Sequence, residues 1–190
     1  MPIASPEAIK RNSADLNGIS NRIARSLPER GDDWRAAVGE FHSRFDELSF
    51  PGGYKLLNLV KTGDFAAVET AIRFLEVDPR HFRSGYIKED LWLWLKRIEL
   101  SRPAIRRVER VALSYLQRRI SREFWCMAKA MHYIAGPEFW RAVTAAARST
   151  DAALRLRATC LLAHGANLQS GAMVRRDLYH SWLTSSYGGS

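Results

Sequence analysis

The chain is predicted to be all-α on three observations. Apolar residues recur every three or four positions along most of it. Pro6, Pro28, Pro51, Pro79, Pro103 and Pro137 fall between those periodic stretches or in their first turns, where a missing N–H is tolerated. No run alternates with period two between turn signals, as a strand would.

The elements follow in order. After Ser5-Pro6, Ile9, Leu16, Ile19, Ile23 and Leu27 mark one face of a first helix. Trp34, Val38, Phe41, Phe45 and Leu48 draw an apolar stripe on a second, which Ser49-Phe50-Pro51-Gly52-Gly53 ends. A short segment over residues 54–61 precedes Asp64, whose side chain suits an N-cap for a helix carrying Phe65, Val68, Ile72 and Leu75. Residues 79–85 read as a loop, and residues 86–98 as a helix with Leu91, Trp94, Leu95 and Ile98 inward. Ser101 caps the next helix, with Pro103 in its first turn. Ser121 opens another, and Gly136-Pro137 separates it from a helix reaching about Arg148. Asp151 opens a helix with Leu154, Ala158 and Leu161 on one face and Gly165 as its C-cap. A last helix is expected over residues 172–183, carrying Met173, Leu178 and Trp182.

With 190 residues, 46% hydrophobic and 26% charged, the chain suits one domain over residues 1–184 and a flexible Ser/Gly-rich tail over 185–190. No apolar run approaches the roughly 18 residues of a membrane span, and the N-terminus lacks a secretory pattern. Cys126 and Cys160 stand apart without metal-ligand spacing, so reduced, buried thiols in a cytoplasmic protein are expected.

Short helices with short connections suit a stack of hairpins or a compact bundle. The stretch GPEFWRAVTAAARS followed by TDAALRLRATCLLAHG resembles a HEAT-type repeat, best over residues 137–165: a helix, a tight turn, Asp151, a basic residue at Arg155 or Arg157, then Ala158 and Leu161-Leu162. The resemblance implies an irregular HEAT-like stack of antiparallel helical hairpins, the alternative being a compact helical bundle. It reaches residues 86–135 only in outline, and no second clean copy recurs at the usual period of about 40–47 residues.

Glu-Phe-Trp occurs twice, at residues 123–125 and 138–140. Each Glu falls in a first helical turn, where a carboxylate complements the helix dipole. Phe124 aligns with Ala128 and Met131, and Phe139 with Val143 and Ala146, so Trp125 and Trp140 flank those stripes. The echo reads as aromatic filling between hairpins rather than as a ligand site.

Charge is the unusual quantity. The net charge is +9, and residues 80–125 hold twelve Lys/Arg against five Asp/Glu, a net of +7. At about 100° per residue from Arg102, Arg106, Arg110, Arg107 and Arg118 fall at about 40, 80, 140 and 160°. Ile105, Val108, Val111, Ala112, Tyr115 and Leu116 occupy the other half, with Glu109 at the border. Arg119 and Arg122 extend the strip. Arginine's planar fork pairs with carboxylate or phosphate, so this face is read as the partner-binding site, with Trp92 and Trp125 as aromatic anchors. Gly85 and Lys88 at the start of the preceding helix also suggest an anion-binding helix terminus.

His42, His81, His132, His164 and His180 form no metal-binding spacing, and no nucleophile or phosphate-loop motif occurs. No catalytic residue, metal or cofactor is therefore expected. The sequence points to a cytoplasmic, bacterial, non-enzymatic interaction protein of adaptor, inhibitor or immunity type that binds an acidic protein through its Arg-rich face. The immunity role is one that small HEAT-like chains serve, so it rests on the resemblance. The alternative is a HEAT-like nucleic-acid-binding protein, extending by analogy of fold to a DNA glycosylase-like enzyme with Glu123, Trp125, Glu138, Trp140 and Arg141 as its residue types.

Overall fold

The structure, a computed structural model, describes residues 3–166. Among these there are nine α-helices, one 3-10 turn and no strand, so the chain is all-α. No helix among the described residues is long and apolar enough to cross a membrane. The helix expected over residues 172–183 and the tail over 185–190 lie outside the described residues. The contacts group into two compact units, Met1–Val108 and Glu109–Ser190, divided within one helix.

In the first unit, α1 (Pro6–Ser26) begins where the Ser5 hydroxyl accepts the Ala8 N–H at 3.1 Å. It pairs with α2 (Asp32–Ser49) across the short turn at residues 27–31. Leu16, Ile19 and Leu48 form their shared core, with Ile23, Phe41 and Phe45 packed against it. Leu27 follows the last turn of α1 and is exposed, contrary to its expected place on the inner stripe. Phe50 turns extended after α2, and Gly52 follows at φ +82°, where a Cβ would lie 2.9 Å from the Leu56 Cβ. That turn needs glycine on both counts. It leads into α3 (Gly53–Leu59) and a 3-10 turn at Val60–Thr62.

Asp64 caps α4 (Phe65–Val77) by accepting the Ala67 N–H at 2.9 Å, as its residue type predicts. Ala67, Ala71, Ile72, Phe74 and Leu75 are buried, but Phe65 is 73% exposed. As the first residue of the helix, it sits before the core-facing stripe begins.

The register of α5 (Ser84–Leu95) differs from expectation. Its inward face is Ile87, Lys88, Leu91, Trp92 and Leu95, which rotates Trp94 to a half-buried position. A lysine inside the apolar stripe disguised it. Lys88 is 2% exposed, and its Nζ meets Asp78 Oδ1 at 2.5 Å. Asp78 occupies the left-handed C-cap of α4 at φ 52°, its N–H donating to the Phe74 carbonyl at 3.0 Å. Lys88 is thus committed inside the fold and does not serve an anion site at the start of α5.

The boundary between units lies within α6 (Arg102–Tyr115). In the second unit, α7 (Arg122–Ile134) and α8 (Pro137–Ala146) both pack against α9 (Ala152–Ala166). Phe124, Met127, Ala128 and Met131 of α7, Phe139 and Val143 of α8, and Ala158 and Leu161 of α9 are buried. The two Glu-Phe-Trp segments behave alike at their centres. Each Phe is buried, while Trp125 and Trp140 are half-buried at the flank. Ser121 makes no side-chain cap bond to α7. The N-terminus of α8 is tied instead by Glu109, whose Oε1 accepts the Gly136 N–H at 2.8 Å. Asp151 caps α9, accepting from Ala153 at 2.8 Å and Leu154 at 3.2 Å. α9 continues through Gly165 to Ala166, past the glycine expected to end it.

Candidate macromolecular interface

The physical basis of the candidate interface is the amphipathic division of α6. Ser101 Oγ accepts the Ala104 N–H at 3.4 Å at its start. Val108, Val111, Ala112 and Tyr115 bury one side, as does Leu116 just beyond the helix. Arg102, Arg106 and Arg110 recur every four residues on the opposite side and are exposed. None of the three has an ion-pair partner among the described residues.

The neighbouring Arg107 is not part of that open surface. Its Nε and Nη2 donate to the two oxygens of Glu76, each at 2.8 Å, and Nη1 donates to Glu69 Oε2 at 2.6 Å. The Arg107 side chain is 22% exposed, and those of Glu69 and Glu76 are 18% and 33% exposed. Hydrogen bonding to Glu76 first, and then to Glu69, raises the Arg107 pKa above its ordinary value, against the opposing effect of burial. This is a bidentate fork with a third charge-assisted bond, and it fixes α6 to α4 inside the first unit. The residue was expected in the partner-binding strip. It is removed from it because two carboxylates already take its donors.

Glu69 and Glu76 were missed by the sequence reading. They stand seven residues apart, two turns of one helix, and so share a side of α4. That spacing was the available signal.

Of the remaining predicted residues, Arg118 is half-buried. Its guanidinium lies 4.1 Å from the Tyr115 ring centre, and Nη2 donates to Ser114 Oγ at 2.6 Å. Arg119 and Arg122 are exposed. Trp125 is half-buried, with Phe124 edge-on at 5.3 Å and the His164 ring at 6.0 Å. Trp92 is 0% exposed. It cannot anchor a partner from the core of α5, and this corrects its assignment. The Trp that reaches the surface of α5 is Trp94, with Lys61 Nζ 4.6 Å from its ring centre.

Elsewhere in the second unit, the His132 ring stacks on Trp140 at 4.4 Å and 27°, with Nε2 3.4 Å from the Leu161 carbonyl oxygen. Burial lowers the His132 pKa, and the Leu161 carbonyl partly opposes this. Cys160 is buried and its thiol is pushed up to about 11 by that burial, while Cys126 is half-buried. Neither cysteine is in a disulfide. Arg157 Nε donates to the Leu116 carbonyl at 2.6 Å, just past the end of α6, and Arg155 Nη1 donates to the Ser149 carbonyl at 2.6 Å. Both residues matched to the repeat's basic position, Arg155 and Arg157, are therefore engaged with backbone.

No family model, curated protein or solved structure matches the chain.

Proposed function

We propose that this chain is a non-enzymatic binding protein, of adaptor, inhibitor or immunity type, that docks an acidic protein surface through the exposed arginines of α6. The observation that carries this reading is the row Arg102, Arg106 and Arg110. These are three exposed forks at four-residue spacing, without ion-pair partners among the described residues, on a helix whose other side is core. Arg107 supplies an internal precedent for the chemistry, because it engages carboxylates from the same helix.

Nucleic acid is the weaker reading. Affinity for a phosphate backbone scales with the number of phosphates neutralised. The withdrawal of Arg107 and the packing of Arg118 on Tyr115 shorten the strip that would follow such a backbone. A HEAT-like arrangement is part of the proposal. α8 packs on α9 across the turn at residues 147–151, with Asp151 capping α9 and Arg155 bonded to the carbonyl of Ser149. A bacterial, cytoplasmic setting is likewise proposed.

The test is capture of partners from a bacterial extract by the wild type and by R102E/R106E/R110E. Binding to labelled DNA and RNA is measured in parallel between about 50 and 200 mM salt. The expected result is an acidic protein captured by the wild type and lost by the folded triple variant. Salt-steep nucleic-acid binding lost in the same variant favours the alternative. Capture unchanged by the variant removes α6 from the interface.

A further inference from the structure

Away from α6, the first unit contains a cavity of about 480 Å³ lined by Ile23 of α1, Val38, Phe41 and Phe45 of α2, and Phe82 and Arg83 before α5. Its volume lies within the range of small-molecule pockets. The three phenylalanines form one aromatic wall, with ring centres 5.1 Å apart for Phe41–Phe45, 5.6 Å for Phe41–Phe82 and 6.1 Å for Phe45–Phe82. Phe82 is 56% exposed, so much of this residue is open to solvent.

The cation at the rim gives the cavity its chemistry. The Arg83 guanidinium lies 5.7 Å from the Phe82 ring centre and has no ion-pair partner among the described residues. Its backbone is held at φ 64°, a left-handed conformation uncommon for a residue with a side chain. That backbone is the N-cap of α5, and its carbonyl accepts the Tyr86 N–H at 3.0 Å. The backbone of Arg83 is therefore fixed by the turn into the helix.

One acid, Asp46, also lines the cavity, but it is already engaged. Its Oδ1 accepts the Tyr54 N–H at 2.8 Å, and a Cβ on Gly53 would stand 2.8 Å from its Oδ2. That carboxylate is held at the start of α3 by the Tyr54 N–H. His42 completes the rim, its ring edge-on to Phe41 at 6.0 Å.

We infer that this cavity binds a small alkyl or aryl carboxylate, with its apolar body against Phe41, Phe45 and Phe82 and its carboxylate on Arg83. A neutral apolar molecule gains the same burial but nothing from Arg83. The inference is independent of the α6 interface, since no α6 residue lines the cavity.

The experiment is calorimetric titration of the whole chain with octanoate and with 1-octanol, using the wild type, R83Q and V38W, each checked for folding by circular dichroism. Octanoate is expected to bind the wild type with one-to-one stoichiometry. R83Q should weaken octanoate about tenfold, as loss of a charge-assisted bond implies, and leave 1-octanol unchanged. V38W, which fills the cavity from α2, should abolish both, while R102E/R106E/R110E should bind octanoate as the wild type does. Absence of octanoate binding, equal octanoate affinity in wild type and R83Q, or full binding by folded V38W would each overturn the inference. If V38W does not fold, the R83Q and 1-octanol arms decide alone.

Discussion

Arg106 and Arg107 are adjacent on α6 and have opposite surroundings. Arg106 is exposed and has no ion-pair partner among the described residues, whereas Arg107 is mostly buried between Glu69 and Glu76 of α4. One step along a helix turns the side chain by about 100°, enough to pass from solvent to the edge of the core. Counting arginines therefore overstates the charge a helix offers to a partner. What matters is which of them the fold has already neutralised.

A more buried ion pair extends the comparison and carries the largest expected effect. Asp78→Asn keeps the size and the tolerance of the left-handed C-cap but leaves the Lys88 ammonium buried without its counter-charge. A loss of about 3–5 kcal/mol is expected in urea unfolding. Restoring much of it with D78N/K88M would show that the buried charge, rather than the cap, is responsible.

The α6–α4 contact should come next. Glu76→Gln removes one carboxylate from Arg107, with an expected loss of about 1–2 kcal/mol. Arg106→Gln, one residue from Arg107, should change stability by less than about 0.5 kcal/mol. Equal effects of the two would break the distinction between the sides of α6.

The smallest effect concerns pH. Burial depresses the pKa of both His81 and His132 below the ordinary 6.5. The folded chain then binds fewer protons than the unfolded chain just below that value, so stability rises with pH there. Unfolding free energy should be greatest above about pH 6.5 and fall as the pH drops from there, because protons bind the unfolded chain more readily. H81Q and H132Q should each flatten that slope, which denaturant titrations between about pH 5.5 and 7.5 would show.

The helices were legible where one physical signal decided them. Asp64 and Asp151 cap α4 and α9 as their residue type and position indicate. On α6, exposed Arg102, Arg106 and Arg110 lie opposite buried Val108, Val111, Ala112 and Tyr115, as the helical projection predicts. The register of α5 was hidden because a buried lysine interrupts its apolar stripe, and its ion-pair partner, Asp78, lies ten residues earlier in another element. Arg107 was misplaced for a related reason. Its surroundings depend on α4, whose acids stand 31 and 38 residues away in the chain. Local periodicity reveals which side of a helix is apolar, but not what a neighbouring helix brings to its border.

The most direct test of the two-sided α6 is residue-resolved arginine modification of the native chain with phenylglyoxal, read by peptide mass spectrometry over time. Arg102, Arg106 and Arg110 should react readily, while Arg107 stays protected until the chain is unfolded. Modification of Arg107 at the rate of Arg106 in the folded protein would contradict the account.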